Sequence, residues 1–178
     1  MLSAMVKLLT AILAALQPPL RAVTVSRAVA AAGDYAAGDV VSNSVTAGTA
    51  SAWKLPNLAP AEGVPFWITR VTMTCSAEMT AMTPRMHLFR REPTASELRD
   101  NVALSLLEPE NLNYLGVIDG FGVFADRGDF SASETNDVRK RVTPAEGSRD
   151  LWFILETTTA ETNEVAGMTM RIEVEVSL

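Results

Sequence analysis

The chain has 178 residues, one cysteine and one histidine, and 15 basic against 21 acidic side chains. That length suits one domain and supports a core without metals or disulfides. Cys75 has no partner for an internal disulfide, and an acidic chain with scattered basic residues lacks the clustered basic face that phosphate backbones select. Nucleic-acid binding is therefore not expected.

Residues 1–19 read as a helical arm. Leu2, Met5, Leu9, Ile12 and Leu16 recur at a spacing of three and four, widened by Val6 and Leu13. Ser3, Lys7, Thr10 and Gln17 mark the polar side, and Pro18-Pro19 ends the pattern. Lys7 followed by Leu8 to Leu16 has the outline of a secretion signal. One lysine and no clean small-residue cleavage site speak against that, and the run is too short to span a bilayer. A membrane-surface helix would carry more Lys or Arg on its polar side, so no membrane partner is expected. The seam Leu2, Met5, Leu9, Ile12 and Leu16 is instead an interface candidate, and its spacing suits a three-stranded bundle.

From Ala22 onward the period becomes two. Ala22 to Val29, Val40 to Val45, Phe66 to Cys75 and Arg85 to Arg90 read as strands. Tyr114 to Ile118, Gly122 to Phe124, Val138 to Val142, Leu151 to Thr158 and Met168 to Val176 follow. In the last, Met168, Met170, Ile172, Val174 and Val176 share one face against Thr169, Arg171, Glu173 and Glu175. Such alternation describes a half-buried antiparallel strand. Ser96 to Glu110 is the one place for a second short helix. The expected fold is all-β: an antiparallel sandwich over residues 20–178, jelly-roll-like, behind the N-terminal amphipathic helix.

Catalytic patterns are missing. There is no phosphate-binding glycine loop and no Gly-x-Ser-x-Gly elbow, and one His with one Cys cannot assemble the usual zinc sets. No enzyme, cofactor or metal is expected. Cys75 reads as a buried thiol and His87 as a surface or interface residue. Asp126, Asp129, Glu134 and Asp137 could hold calcium but read more simply as a solvated turn, and Arg127-Gly128-Asp129 as a chance triplet. Asp34 and Asp39, each after a glycine, are turn formers. Trp67 and Trp152 lie inside strands and read as core on at least one face. Trp53, in Ala52-Trp53-Lys54-Leu55-Pro56, is the candidate exposed or interface aromatic.

The order of segments carries a resemblance. Tyr35, then Gly38-Asp39-Val40-Val41-Ser42, leads to Trp53-Lys54-Leu55-Pro56-Asn57 and Trp67-Ile68-Thr69. Arg85-Met86-His87-Leu88-Phe89, Tyr114-Leu115-Gly116-Val117-Ile118 and Leu151-Trp152-Phe153-Ile154-Leu155-Glu156-Thr157 follow. Over roughly Val23 to Leu178 the chain resembles capsid decoration (cement) proteins of tailed bacteriophages. The resemblance implies a jelly-roll-like sandwich, a homotrimer, the major capsid protein as partner, and neither cofactor nor turnover. It places the protein on the outside of the virion, after synthesis in the host cytoplasm. The arm lies outside that pattern. A carbohydrate-binding module, favoured by exposed Trp53 and Trp67, and a tail or baseplate structural protein are the alternatives.

Overall fold

A computed structural model describes residues 21–31, 33–94, 96–162 and 165–178. The arm over residues 1–19, with Leu2, Met5, Leu9, Ile12 and Leu16, lies outside the described residues.

Eleven strands run through the described residues: β1 (Arg21–Ala28), β2 (Val40–Val41), β3 (Trp53–Leu55), β4 (Phe66–Cys75), β5 (Pro84–Phe89), β6 (Tyr114–Ile118), β7 (Ala125–Asp126), β8 (Ser131–Thr135), β9 (Lys140–Val142), β10 (Leu151–Thr157) and β11 (Thr169–Ser177). They form two sheets. The larger has the order β1-β11-β4-β8-β7, with β9 also on β4; the smaller has the order β2-β10-β5-β6, with β3 also on β10. Every pairing is antiparallel, and one series of them nests. The first strand pairs the last, β2 and β3 pair β10, β4 pairs β8 and β9, and β5 pairs β6 at the centre. A long hairpin wrapped around a core gives this nesting, which is the jelly-roll connection of a β-sandwich. The fold class expected from the sequence is the one observed.

The inward residues of both sheets build the core. From β11 come Met170, Ile172, Val174 and Val176, from β4 Phe66, Ile68, Val71, Met73 and Cys75, and from the smaller sheet Leu55, Met86, Leu88, Phe153 and Leu155. Alternation in β4 is broken, because Ile68 and Val71 are three apart and both buried. The cause is a bulge. Glu175 pairs Arg70 but Val176 pairs Ile68, so Thr69 is the extra residue. Its hydroxyl donates to the Glu175 carbonyl at 3.2 Å, and β9 hands over to β8 along β4 at the same point.

Two sequence expectations are corrected, and one strand was not expected. Ser96 to Glu110 holds no α-helix among its described residues, only a 3-10 turn over Glu108–Glu110 that begins at Leu107-Glu108-Pro109. Gly122 to Phe124 is not a strand; Phe124 tucks its ring into the core and pairing starts at Ala125. Ser131–Thr135, the sequence SASET, is a strand although no apolar alternation marks it. Its inward hydroxyls find carbonyls, Ser131 donating to Ala77 O at 2.7 Å and Ser133 to Gly122 O. A strand that satisfies buried positions with serine leaves no hydrophobic signal.

Candidate functional site

The outward face of the smaller sheet is not left to solvent. Residues 90–113, which join β5 to β6, fold back over it. Leu98 and Leu104 from this connection pack on Val40, Phe89 and Ile154, with Tyr114 and Trp152 at the margin, making a second small core. Backbone pairing holds the connection along β2: Val40 N donates to Val102 O at 2.9 Å, Asn101 N to Val40 O at 2.9 Å and Leu104 N to Gly38 O at 2.8 Å.

Buried carboxylates complete the clamp. Asp100 accepts from the Ser42 amide at 2.6 Å and from the Tyr35 hydroxyl at 2.8 Å. Glu110 accepts from the Thr94 amide at 2.6 Å. Glu161, whose backbone pairs with Tyr35, accepts from the amides of Ala81 and Met82, each at 2.9 Å. A buried carboxylate is tolerable where backbone N–H groups and hydroxyls replace its water. Asp100 also acts on Arg27. Burial lowers the Arg27 pKa to about 10, opposed by the Asp100 charge.

His87 sits in the middle of this roofed face. Its Nε2 lies 2.7 Å from the Glu156 carboxylate and its Nδ1 3.1 Å from the Tyr114 hydroxyl. Burial lowers its pKa below the usual 6.5, against the opposing pull of Glu156, so the ring is neutral at pH 7. Nε2–H then donates to Glu156 and Tyr114 O–H donates to Nδ1. Burial raises the Tyr114 pKa, which keeps that hydroxyl a donor. The sequence expectation of a surface or interface His87 is corrected: the residue is 7% exposed, packed between Tyr114 and Glu156 on the strand face whose Phe89 and Ile154 the 90–113 connection covers.

The same connection also carries exposed leucines. Leu106, Leu107 and Leu112 are 39%, 47% and 87% exposed. Beside them lies a groove of about 310 Å³ bordered by Phe89, Leu106, Leu107, Glu108 and Tyr114. A second groove, of about 650 Å³, runs between residues 47–51 and 92–107; it is lined by small and polar side chains including Ser51, Thr94, Ser96 and the Glu97–Arg99 ion pair at 2.7 Å.

Trp53 is also corrected. It is 3% exposed, stacked on Phe153 at 5.5 Å between ring centres, with the Arg27 guanidinium 4.0 Å over its ring. Trp67 is the exposed tryptophan, at 41%. It lies on the outward face of the larger sheet between Ser177 and Arg141. The exposed pair Trp53 and Trp67 that would have favoured a sugar platform does not exist. Cys75 is buried, as expected, and burial raises its thiol pKa. Among the described residues no group of three or more His, Cys, Asp or Glu converges as a metal site. Glu134 pairs Arg70 at 3.1 Å, Asp137 pairs Arg139 at 2.8 Å, and Asp126 accepts from Gly128 N at 2.7 Å. Asp39 is the turn former expected, accepting from Ala36 N at 2.7 Å. No helix among the described residues is long and apolar enough to cross a membrane.

No family model and no curated protein matches the chain. Among solved structures, the chain is similar to one from the full particle of Israeli acute paralysis virus, at 11% identity and a TM-score of 0.28, covering 92% of this chain and 72% of that one. The Israel acute paralysis virus pentamer gives 14% identity and 0.26, over 89% and 88% of the two chains. The capsid of a Helicobacter pylori bacteriophage gives 11% and 0.24, over 90% and 94%. These neighbours are viral capsid structures. Likeness this slight does not bear on what the present chain does.

Proposed function

We propose that this chain is a capsid decoration protein of a tailed bacteriophage, seated on the outside of the head and cementing neighbouring major capsid protein subunits. The reading includes a homotrimer and involves neither cofactor nor turnover. It rests on the segment order from Tyr35 to Thr157 set out above. Its chief structural support is the exposure of Leu106, Leu107 and Leu112, carried on a connection that two buried carboxylates, Asp100 and Glu110, help hold in place. Exposed apolar side chains on a rigid support suit a docking role, and many copies with modest contacts sum to tight binding.

The test mixes the purified protein with undecorated heads and counts bound copies per major capsid subunit. Copies in the hundreds per head are expected. A Leu107→Glu/Leu112→Glu variant should keep its melting temperature and lose at least about tenfold in affinity, the scale of removing a central apolar contact. Undiminished decoration by that variant, or binding of a dozen copies or fewer, overturns the reading; the latter points to a tail or portal component.

A further inference from the structure

Sheet edges are where one chain can pair with another, and proteins blunt them. The outer edges at β2, β7 and β6 are blunted. Residues 100–104 cover the β2 side. β7 is two residues long. β6 carries a register break opposite Leu88 and Phe89, and the Lys140 ammonium lies against Gly116. The β1 edge is eight residues long and holds no proline, its two charges, Arg21 and Arg27, lie on the inward face, and its pairing with β11 runs without a register break.

Its hydrogen-bonding phase follows from its ends. Val29 N donates to Met168 O at 2.9 Å, toward β11, whereas Ala30 N donates to Ser42 O at 2.8 Å, on the other side. Odd-numbered residues therefore bond β11, and Ala22, Thr24, Ser26 and Ala28 aim their N–H and C=O groups at the open edge. No described segment takes those groups up. The side chains of the same four residues are exposed, small and uncharged. Val23 and Val25, on the inward face, pack on the core and remain only partly buried, whereas Arg27 bridges to the Ser51 and Ala52 carbonyls, so the sandwich is open along the Val23–Val25 half of this edge.

We propose that β1 pairs with β1 of a second copy, antiparallel about a two-fold axis at Val25, joining the two larger sheets into one. This is the one antiparallel register in which all four edge-facing residues of each strand find the four of the other: Ala22 opposite Ala28, and Thr24 opposite Ser26. On the outward face the pairing brings alanine to alanine and one hydroxyl to another, with no like charges opposed. On the inward face Val25 meets Val25 of the second copy and covers the open side of the core. The pairing is independent of binding to a shell.

The register has a sharp test. Val25 faces itself in a non-hydrogen-bonded position, where Cα atoms lie about 4.5 Å apart, within disulfide range. Val25→Cys in the full chain should form an intermolecular disulfide with oxidised glutathione. Val23→Cys, which faces Arg27 of the second copy, should not. Cys75 is buried and serves as the silent background thiol. Ser26→Pro removes one edge-facing N–H without touching the β11 ladder, so it should leave the sandwich folded and abolish the Val25→Cys cross-link. By sedimentation Ser26→Pro alone should halve the particle mass. Failure of Val25→Cys to cross-link, equal cross-linking by Val23→Cys, or a mass unmoved by Ser26→Pro overturns the proposal.

Discussion

His87 and Glu156 meet at 2.7 Å across β5 and β10 as a neutral imidazole donating to a carboxylate, beneath the connection that roofs the smaller sheet. Because burial lowers the His87 pKa, the unfolded chain takes up the proton at a higher pH than the folded one. The stability associated with this residue is therefore full above its unfolded pKa of 6.5 and is lost as pH falls from there to the lowered folded value. Melting curves between about pH 7.5 and about pH 5.5, the range of an ordinary histidine, should show a decline in wild type that is shallower in His87→Gln. Parallel slopes in the two proteins would assign the decline to other groups.

Asp100 ties three elements together through Ser42 N, Tyr35 O–H and the charge on Arg27. Asp100→Ala takes the carboxylate acceptor away from the buried Ser42 amide and Tyr35 hydroxyl and should cost about 2–4 kcal/mol in urea unfolding. Asp100→Asn keeps an accepting oxygen and should cost less. Limited proteolysis should find new cleavage within residues 90–113 in the alanine variant, since one of the ties on that connection is gone.

Trp53 and Trp67 should separate by quenching. Acrylamide should reach Trp67, and Trp67→Phe should remove the most accessible share of the fluorescence with little loss of stability. Trp53→Ala empties a packed site against Phe153 and should cost about 3–5 kcal/mol. A Trp53 more readily quenched than Trp67 would contradict its burial.

Gly116 has a φ of +94°, and a Cβ there would lie 2.6 Å from the Lys140 ammonium. Lysine can swing aside, but the backbone cannot relax so cheaply. Gly116→Ala should destabilise by about 1–2 kcal/mol, and adding Lys140→Ala should recover little of it. Full recovery in the double variant would locate the cost in the lysine contact.

Removal of residues 1–17 should leave a folded sandwich whose far-UV spectrum is that of an all-β protein, and which either fails to decorate heads or loses its trimer. Full occupancy by the shortened trimer would remove the arm from the docking account.

Much of this protein was legible in its sequence. Strict alternation in Met168 to Val176 made β11 a half-buried antiparallel strand, and the run of short strands between turn residues gave the sandwich class. Alternation reports which residues share a face. It does not report what lies over that face. His87, Trp53 and Trp67 differ from expectation for that reason. His87 is outward on β5 yet buried against Tyr114 and Glu156, Trp53 is turned inward by its pairing with Phe153, and Trp67 is outward on a sheet face that nothing described covers. Only the tertiary structure decided these placements, along with the bulge at Thr69 and the open edge of β1. Each depends on contacts between residues far apart in the chain, and local period carries no information about them.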